Sequence, residues 1–153
     1  MKHPIPTLLA LAMLGSVSLS AHAAEKTCKL EITGNDMMQY DKKELKVAKD
    51  CTQVELTLKH SGKMPATAMG HNWVLTRSAE ANAVASAGMS AGAAKNYVDD
   101  ADKRIIAHTK VIGGGESTSV TFPMSALKAG ESYTYVCTFP GHSAIMNGKL
   151  TIG

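Results

Sequence analysis

The chain has 153 residues, and its 16 Lys and Arg against 13 Asp and Glu give a formal net charge of +3. The charges are interspersed and form no basic block, which argues against nucleic acid as the main partner. A chain of this length is expected to form one domain with a substantial buried core.

The amino terminus has the pattern of a secretory signal peptide. Lys2 and His3 form a short basic start, residues 5–20 are mainly apolar or small, and Ala21-His22-Ala23 resembles a cleavage site. The apolar run is short and is interrupted by glycine and serine, so a retained membrane anchor is the less favoured alternative. We predict that residues 1–23 are removed and that residues 24–153 form a single exported domain that does not insert into a membrane.

Alternation of apolar and polar residues is the main pattern of the mature chain. In Gln53–His60 the apolar residues and His60 share one face, which is typical of a half-buried strand. Turn signals such as Asn147-Gly148 separate similar short segments. The predicted strands are Cys28–Thr33, a short strand at Leu45 and Val47, Gln53–His60, Asn72–Thr76, Ile105–Ile112, Ser117–Phe122, Ser132–Cys137 and Lys149–Ile152. This series predicts an all-β, antiparallel sandwich or barrel.

One segment, from Ser78 to Tyr97, breaks the alternation because it is rich in Ala and carries little charge. Gly88 and Gly92 lower its propensity for a long helix. We therefore predict one or two short helical turns that lie outside the sandwich.

Three cysteines, Cys28, Cys51 and Cys137, allow one disulfide bond in three possible pairings. An exported protein meets an oxidising compartment, where cysteines within reach tend to pair. Cys28 and Cys51 are the nearest pair in sequence, whereas Cys137 is followed closely by His142 and Met146. We predict a Cys28–Cys51 bond and an unpaired Cys137.

Cys137, His142 and Met146 stand at the start, middle and end of the loop between the last two predicted strands. Pro140-Gly141 turns this loop, so its thiolate, imidazole and thioether can surround one point. Two soft sulfur ligands with nitrogen favour copper in both oxidation states. A copper site of this type needs a second imidazole, for which His71 is the candidate. Zinc also accepts Cys and His ligands and is the alternative metal.

Three segments resemble those of the azurin family, bacterial periplasmic cupredoxins. They are Met69-Gly-His-Asn-Trp-Val-Leu75, Ile106-Ala-His-Thr-Lys110 and Cys137-Thr-Phe-Pro-Gly-His-Ser-Ala-Ile-Met146. The resemblance extends over nearly the whole mature chain and implies a cupredoxin-like Greek-key β-sandwich with a small helical flap and one type 1 copper. It implies His71, Cys137 and His142 as the trigonal ligands. Met146 and the Gly70 carbonyl are implied as weak axial contacts.

Several further residues are expected to act near the metal. By resemblance, Asn72 ties the two ligand loops together, and Met69 lies in a surface patch where a partner docks. His60 is either a buried histidine paired with a backbone carbonyl or, as the resemblance implies, a group whose protonation follows the redox state. His108 is expected to be exposed to solvent.

The favoured function is single-electron transfer by copper cycling between Cu(I) and Cu(II), without enzyme activity. Four or five protein ligands leave no open position for a substrate. Copper storage or delivery is the alternative, although the nine methionines are scattered along the chain. A cysteine hydrolase using Cys137 is disfavoured, because the sequence has no strand-to-helix nucleophile turn.

The resemblance also implies where the protein works and with what. The expected location is the periplasm, reached through the signal peptide. The expected partners are redox proteins such as c-type cytochromes or reductases. The protein is expected to act as a monomer.

Overall fold

A computed structural model describes residues 25–153, and the predicted signal peptide lies outside the described residues. Eight strands run through this part of the chain: β1 (Thr27–Gly34), β2 (Glu44–Val47), β3 (Gln53–His60), β4 (Val74–Arg77), β5 (Ile105–His108), β6 (Ser117–Pro123), β7 (Tyr133–Val136) and β8 (Asn147–Ile152). Two α-helices flank β4, namely α1 (Ala66–Met69) and α2 (Ala81–Ala91). Short 3₁₀ turns cover Ser78–Glu80, Ala93–Lys95 and Met124–Ala126.

The strands form two sheets, one in the order β1-β3-β6 and the other in the order β2-β8-β7-β4-β5. This confirms the predicted all-β sandwich, but not its purely antiparallel pairing. β1 pairs with β3 in parallel, and so does β2 with β8. The reason is that β2 belongs to the opposite sheet, so the chain crosses the sandwich between β1 and β3 and returns in the same direction.

The alternating residues of β3 explain how the core forms. Val54, Leu56 and Leu58 are fully buried, and His60 continues the same face at 2% exposure. Val54, Leu56 and Leu58 pack in one cluster with Trp73 and with buried side chains of the second sheet. The even-numbered residues of β3 therefore all face the core, and His60 is the last of them, at one end of the sandwich.

Some strand ends differ from the predicted ones. β4 begins at Val74 instead of Asn72, and β5 ends at His108, before Ile112. The predicted turn at Asn147-Gly148 is wrong, since both residues begin β8 and pair with β7. Glycine is needed at 148, because a Cβ there would lie 2.6 Å from the Lys43 carbonyl oxygen and would overlap the Tyr135 hydroxyl.

Helix α2 has 11 residues and is longer than the predicted one or two turns. Gly88 lies inside it and is buried, so this glycine serves close packing and does not interrupt the helix. The helix ends at Gly92, whose φ of 78° suits glycine. Within residues 25–153, no helix is long and apolar enough to span a membrane.

The disulfide bond joins Cys28 and Cys51, as predicted, and Cys137 is free and buried. Cys28 lies on β1, and Cys51 lies just before β3. The bond therefore lies at the end of β3 that is opposite to His60. Cys137 is placed by β7, which ends at Val136.

Candidate metal site

The loop from Cys137 to Met146 joins β7 to β8 and is closed by its own backbone. The Cys137 N–H donates to the Met146 carbonyl over 2.9 Å, and the Met146 N–H donates to the His142 carbonyl over 2.8 Å. His71 comes from elsewhere, between α1 and β4, and forms an isolated bridge with Ile112. Two separate loops thus bring their side chains to one end of the sandwich.

Three donor atoms converge between these loops. Nδ1 of His142 lies 3.3 Å from Nδ1 of His71 and 3.7 Å from Sγ of Cys137. All three donor atoms lie within 4.8 Å of one another, and all three residues are buried. Atoms that ligate one metal ion at about 2.0–2.3 Å are themselves about 3–4 Å apart, so this spacing fits a shared ion.

The orientation of His71 also fits a metal ligand. Its Nε2 lies 2.8 Å from the Asn35 carbonyl oxygen. A carbonyl only accepts hydrogen bonds, so Nε2 carries the proton and Nδ1 presents its lone pair to His142 and Cys137. Buried soft and borderline donors of this kind fit copper.

Burial sets the protonation of the three side chains. It lowers the pKa of His142 to about 4 and also lowers the pKa of His71. It raises the pKa of the Cys137 thiol to about 11, an effect that the Asn72 backbone amide partly opposes. Both imidazoles are therefore neutral at pH 7, whereas the thiol must lose its proton when a metal binds.

Asn72 connects the two ligand loops. Its Oδ1 accepts a hydrogen bond from the Thr138 N–H over 2.9 Å, and its Nδ2 donates to the Thr138 hydroxyl over 2.8 Å. Asn72 follows His71 in the chain and Thr138 follows Cys137. The buried side chain of Asn72 therefore fixes the distance between the backbones of these two ligands.

The two expected axial residues also lie on these loops. Met146 is fully buried in the main core cluster. Gly70 directly precedes His71 and packs closely on the other loop, because a Cβ at Gly70 would lie 3.0 Å from Cε2 of Phe139. Phe139 in turn packs on the His142 ring, with centroids 4.7 Å apart.

His60 stacks on the ring of His71, with centroids 4.3 Å apart and planes 10° from parallel. Its Nε2 lies 2.9 Å from the Met69 carbonyl oxygen, and its Nδ1 accepts the Gly62 N–H over 3.0 Å. Both ring nitrogens are thus paired in the neutral form. This geometry matches a histidine paired with a backbone carbonyl, and its link to the redox state remains a prediction.

Met69 and His108 lie further from the donor atoms. Met69 is half-buried, whereas Met64 of the same segment is 38% exposed. His108 is also half-buried, and its Nε2 lies 2.9 Å from the Asp100 carboxylate. His108 is therefore less exposed than expected and takes no part in the group of donors.

Sequence reasoning missed several supporting residues. The Asn35 carbonyl orients His71, the buried Tyr40 hydroxyl donates to the Asn72 carbonyl, and Thr138 pairs with Asn72. Thr138 could have been suggested by its place directly after a ligand, like that of Asn72. The Asn35 contact is made by the backbone, so its residue type gave no signal.

Comparison with known proteins assigns this chain to a protein family. Its sequence matches the copper binding proteins of the plastocyanin/azurin family over residues 26–153. The chain belongs to this family. Azurin of Bordetella pertussis is 49% identical over 142 residues, which are 93% of each chain. Azurin of Pseudomonas aeruginosa is 48% identical over 145 residues, which are 95% of this chain and 97% of the relative.

A solved structure agrees with this placement. Azurin Az-iso2 of Methylomonas sp. strain J is 46% identical, and its fold matches with a TM-score of 0.80 over 82% of this chain and 98% of that chain. The predicted cupredoxin fold is therefore confirmed. As a member of the plastocyanin/azurin family, the protein is a blue-copper electron carrier that works with redox partners and is not an enzyme.

Proposed function

We propose that His71, Cys137 and His142 hold the copper and that the protein carries single electrons in the periplasm. The observation that carries this proposal is the convergence of the two Nδ1 atoms and Sγ, at 3.3 and 3.7 Å. Met146 and the Gly70 carbonyl would provide two further, weaker contacts to the metal, a role that their places on the two ligand loops support. When bound, copper supplies a one-electron couple between Cu(I) and Cu(II).

The role of the chain is to keep the donors in one arrangement. The Asn35 carbonyl fixes the tautomer and ring position of His71, and Asn72 fixes the two ligand loops relative to each other. Burial of all three donors excludes water from the site. Because the arrangement is already set by the protein, little has to move when the charge of the site changes.

Copper storage or delivery is the competing function, and it requires ligands from which copper escapes easily. His71, Cys137 and Met146 are each fully buried, which favours retention. The test is voltammetry of the copper-loaded protein together with copper transfer to an added chelator. We expect a reversible one-electron wave and slow loss of copper. Rapid loss to the chelator without a reversible wave would favour storage or delivery.

Export to the periplasm is proposed from the signal pattern of residues 1–23. The Cys28–Cys51 bond supports it, because disulfide bonds persist in oxidising compartments. The mass of the protein recovered from the periplasm should correspond to a chain that begins at Ala24, with one disulfide bond. A full-length chain in the cytoplasm would contradict the proposal. Size measurement in solution tests the proposed monomer.

Docking is proposed to use an uncharged patch beside His142. The patch combines exposed residues of two segments, the one around α1 and the ligand loop: Met64, Pro65, Thr67, Ala68, Pro140, Gly141, Ala144 and Ile145. Half-buried Met69 ends α1 in the first segment, and the contact between Gly70 and Phe139 joins the two segments. Uncharged patches of this kind suit small, short-lived interfaces with redox proteins such as c-type cytochromes or reductases.

The docking patch is tested by Met69→Lys, because burying the new charge against a partner is costly. The matched control is Met124→Lys, which changes another half-buried methionine in the turn after β6, at the disulfide end of the sandwich. We expect slower electron self-exchange in Met69→Lys alone, with an almost unchanged absorption spectrum. Equal self-exchange rates in both variants, at low and high salt, would show that electrons use another face.

A further inference from the structure

The turn that follows α2 has an unusual backbone. We call Gly92–Val98 the flap turn; it contains the 3₁₀ turn Ala93–Lys95. Asn96 and Tyr97 are consecutive and both left-handed, with φ of 54° and 53°. Asn tolerates this conformation, but a bulky residue such as Tyr adopts it only where its surroundings impose it.

The backbone carbonyl groups of these two residues point towards Asn72 and Thr138, the pair that connects the two ligand loops. The Asn96 carbonyl accepts a hydrogen bond from Asn72 Nδ2 over 3.0 Å. The Tyr97 carbonyl accepts one from the Thr138 hydroxyl over 2.6 Å. The flap turn therefore contacts the residue that follows His71 and the residue that follows Cys137.

Two side chains of the flap turn extend these contacts. The Tyr97 ring packs edge to face on Phe139, with centroids 5.0 Å apart and planes at 68°, and Phe139 packs on His142. Asn96 Oδ1 accepts the Val111 N–H over 3.1 Å, next to the residue that bridges to His71. The flap turn thus reaches the surroundings of both histidine ligands.

Helix α2 presses the flap turn against the ligand loop at Gly88. A Cβ at this position would lie 2.8 Å from Thr138 Cβ and would overlap the Tyr97 carbonyl oxygen. Only glycine permits this approach without a shift of the neighbours. Gly88, Tyr97 and Thr138 therefore form one close contact between helix, flap turn and ligand loop.

We propose that the flap turn and Gly88 of α2 together form a clamp, in which Gly88, Asn96 and Tyr97 act as positioning residues that hold the Asn72–Thr138 pair and so limit movement of the ligand loops. This inference rests on the proposed copper site but concerns residues that touch no donor atom. A looser clamp lets the loops move more between the two redox states, which slows electron exchange without removing a ligand.

The test compares Gly88→Ala, which wedges the contact, with Thr138→Val, which removes the hydroxyl but keeps the shape. Ser86→Ala is the control, since Ser86 is an exposed residue of the same helix. In the metal-free proteins, amide hydrogen exchange of the backbone N–H of residue 138 is expected to be about tenfold faster in both test variants and unchanged in the control. In the copper-loaded proteins, the blue band is expected to persist while self-exchange slows severalfold.

Each outcome bears on one proposal. Unchanged protection of the backbone N–H of residue 138 in Thr138→Val would overturn the clamp, whether or not Gly88→Ala folds. Faster amide exchange together with an unchanged self-exchange rate would overturn its role in electron transfer. Failure of the wild type to show a blue band would overturn the copper site instead, and the metal-free measurement would still decide whether the clamp exists.

Discussion

Removal of the disulfide bond is expected to lower stability without changing the copper site. The bond closes a loop with a sequence separation of 23. The chain-entropy relation for a loop of this length gives about 3.4 kcal/mol of stabilisation, through restriction of the unfolded chain. For a domain of this size, the same loss corresponds to a fall in Tm of about 12 °C.

The effect should not reach the metal, because the bond and the ligands lie at opposite ends of β3. Gln53 begins this strand near Cys51, and His60 ends it against His71. Seven residue steps of an extended strand separate these two ends by about 23 Å. The visible spectrum of the copper-loaded protein should therefore be the same with and without the bond.

The assay is thermal and denaturant unfolding of metal-free Cys28→Ala/Cys51→Ala, with the absorption spectrum recorded after loading with copper. Reduction of the bond in metal-free wild type is the matched control, since it opens the same bond without changing packing. A Tm within about 2 °C of the oxidised wild type would refute the estimate. A displaced or weakened blue band would show that loss of the disulfide bond does change the metal site.

The contacts around the donor atoms support three more expected outcomes. Asn72→Leu removes three hydrogen bonds, of 2.8, 2.9 and 3.0 Å. Its free energy of unfolding, measured by urea titration, should be lower by about 3 kcal/mol. A loss below about 1 kcal/mol would contradict this expectation. Copper binding at pH 7 should release about one proton, from Cys137, because His71 and His142 are already neutral. A titration in weak buffer that shows about two or more protons released per copper bound would contradict this expectation. His60→Leu should shift the reduction potential of the copper-loaded protein, because the His60 ring stacks on the proposed ligand His71; an unchanged potential would exclude such a role for His60.

Local pattern was enough to predict the features whose cause lies within a short segment. Alternation over eight residues placed His60 on the core face of β3. The spacing of Cys137, His142 and Met146 placed three side chains on one loop, and that loop does join β7 to β8. The short separation of Cys28 and Cys51, together with the His142 and Met146 that follow Cys137, predicts the observed Cys28–Cys51 pair.

Features that depend on contacts between distant segments could not be predicted in the same way. The low helix propensity of Gly88 predicts a shorter helix, but tertiary packing on Thr138 overrides that propensity. The left-handed Tyr97 has no sequence signal, since its residue type disfavours this conformation. The parallel pairing of β1 with β3 depends on β2 joining the other sheet, which alternation does not encode.

The central claim, that Cys137 is the thiolate ligand of a blue copper site, is tested most directly by the visible spectrum of Cys137→Ser after loading with copper. Circular dichroism would show whether the variant remains folded, and Cys28→Ala/Cys51→Ala controls for the loss of other cysteines. We predict an intense blue band in wild type and in the control, and no such band in folded Cys137→Ser. Retention of the band by Cys137→Ser would show that Cys137 is not the thiolate ligand.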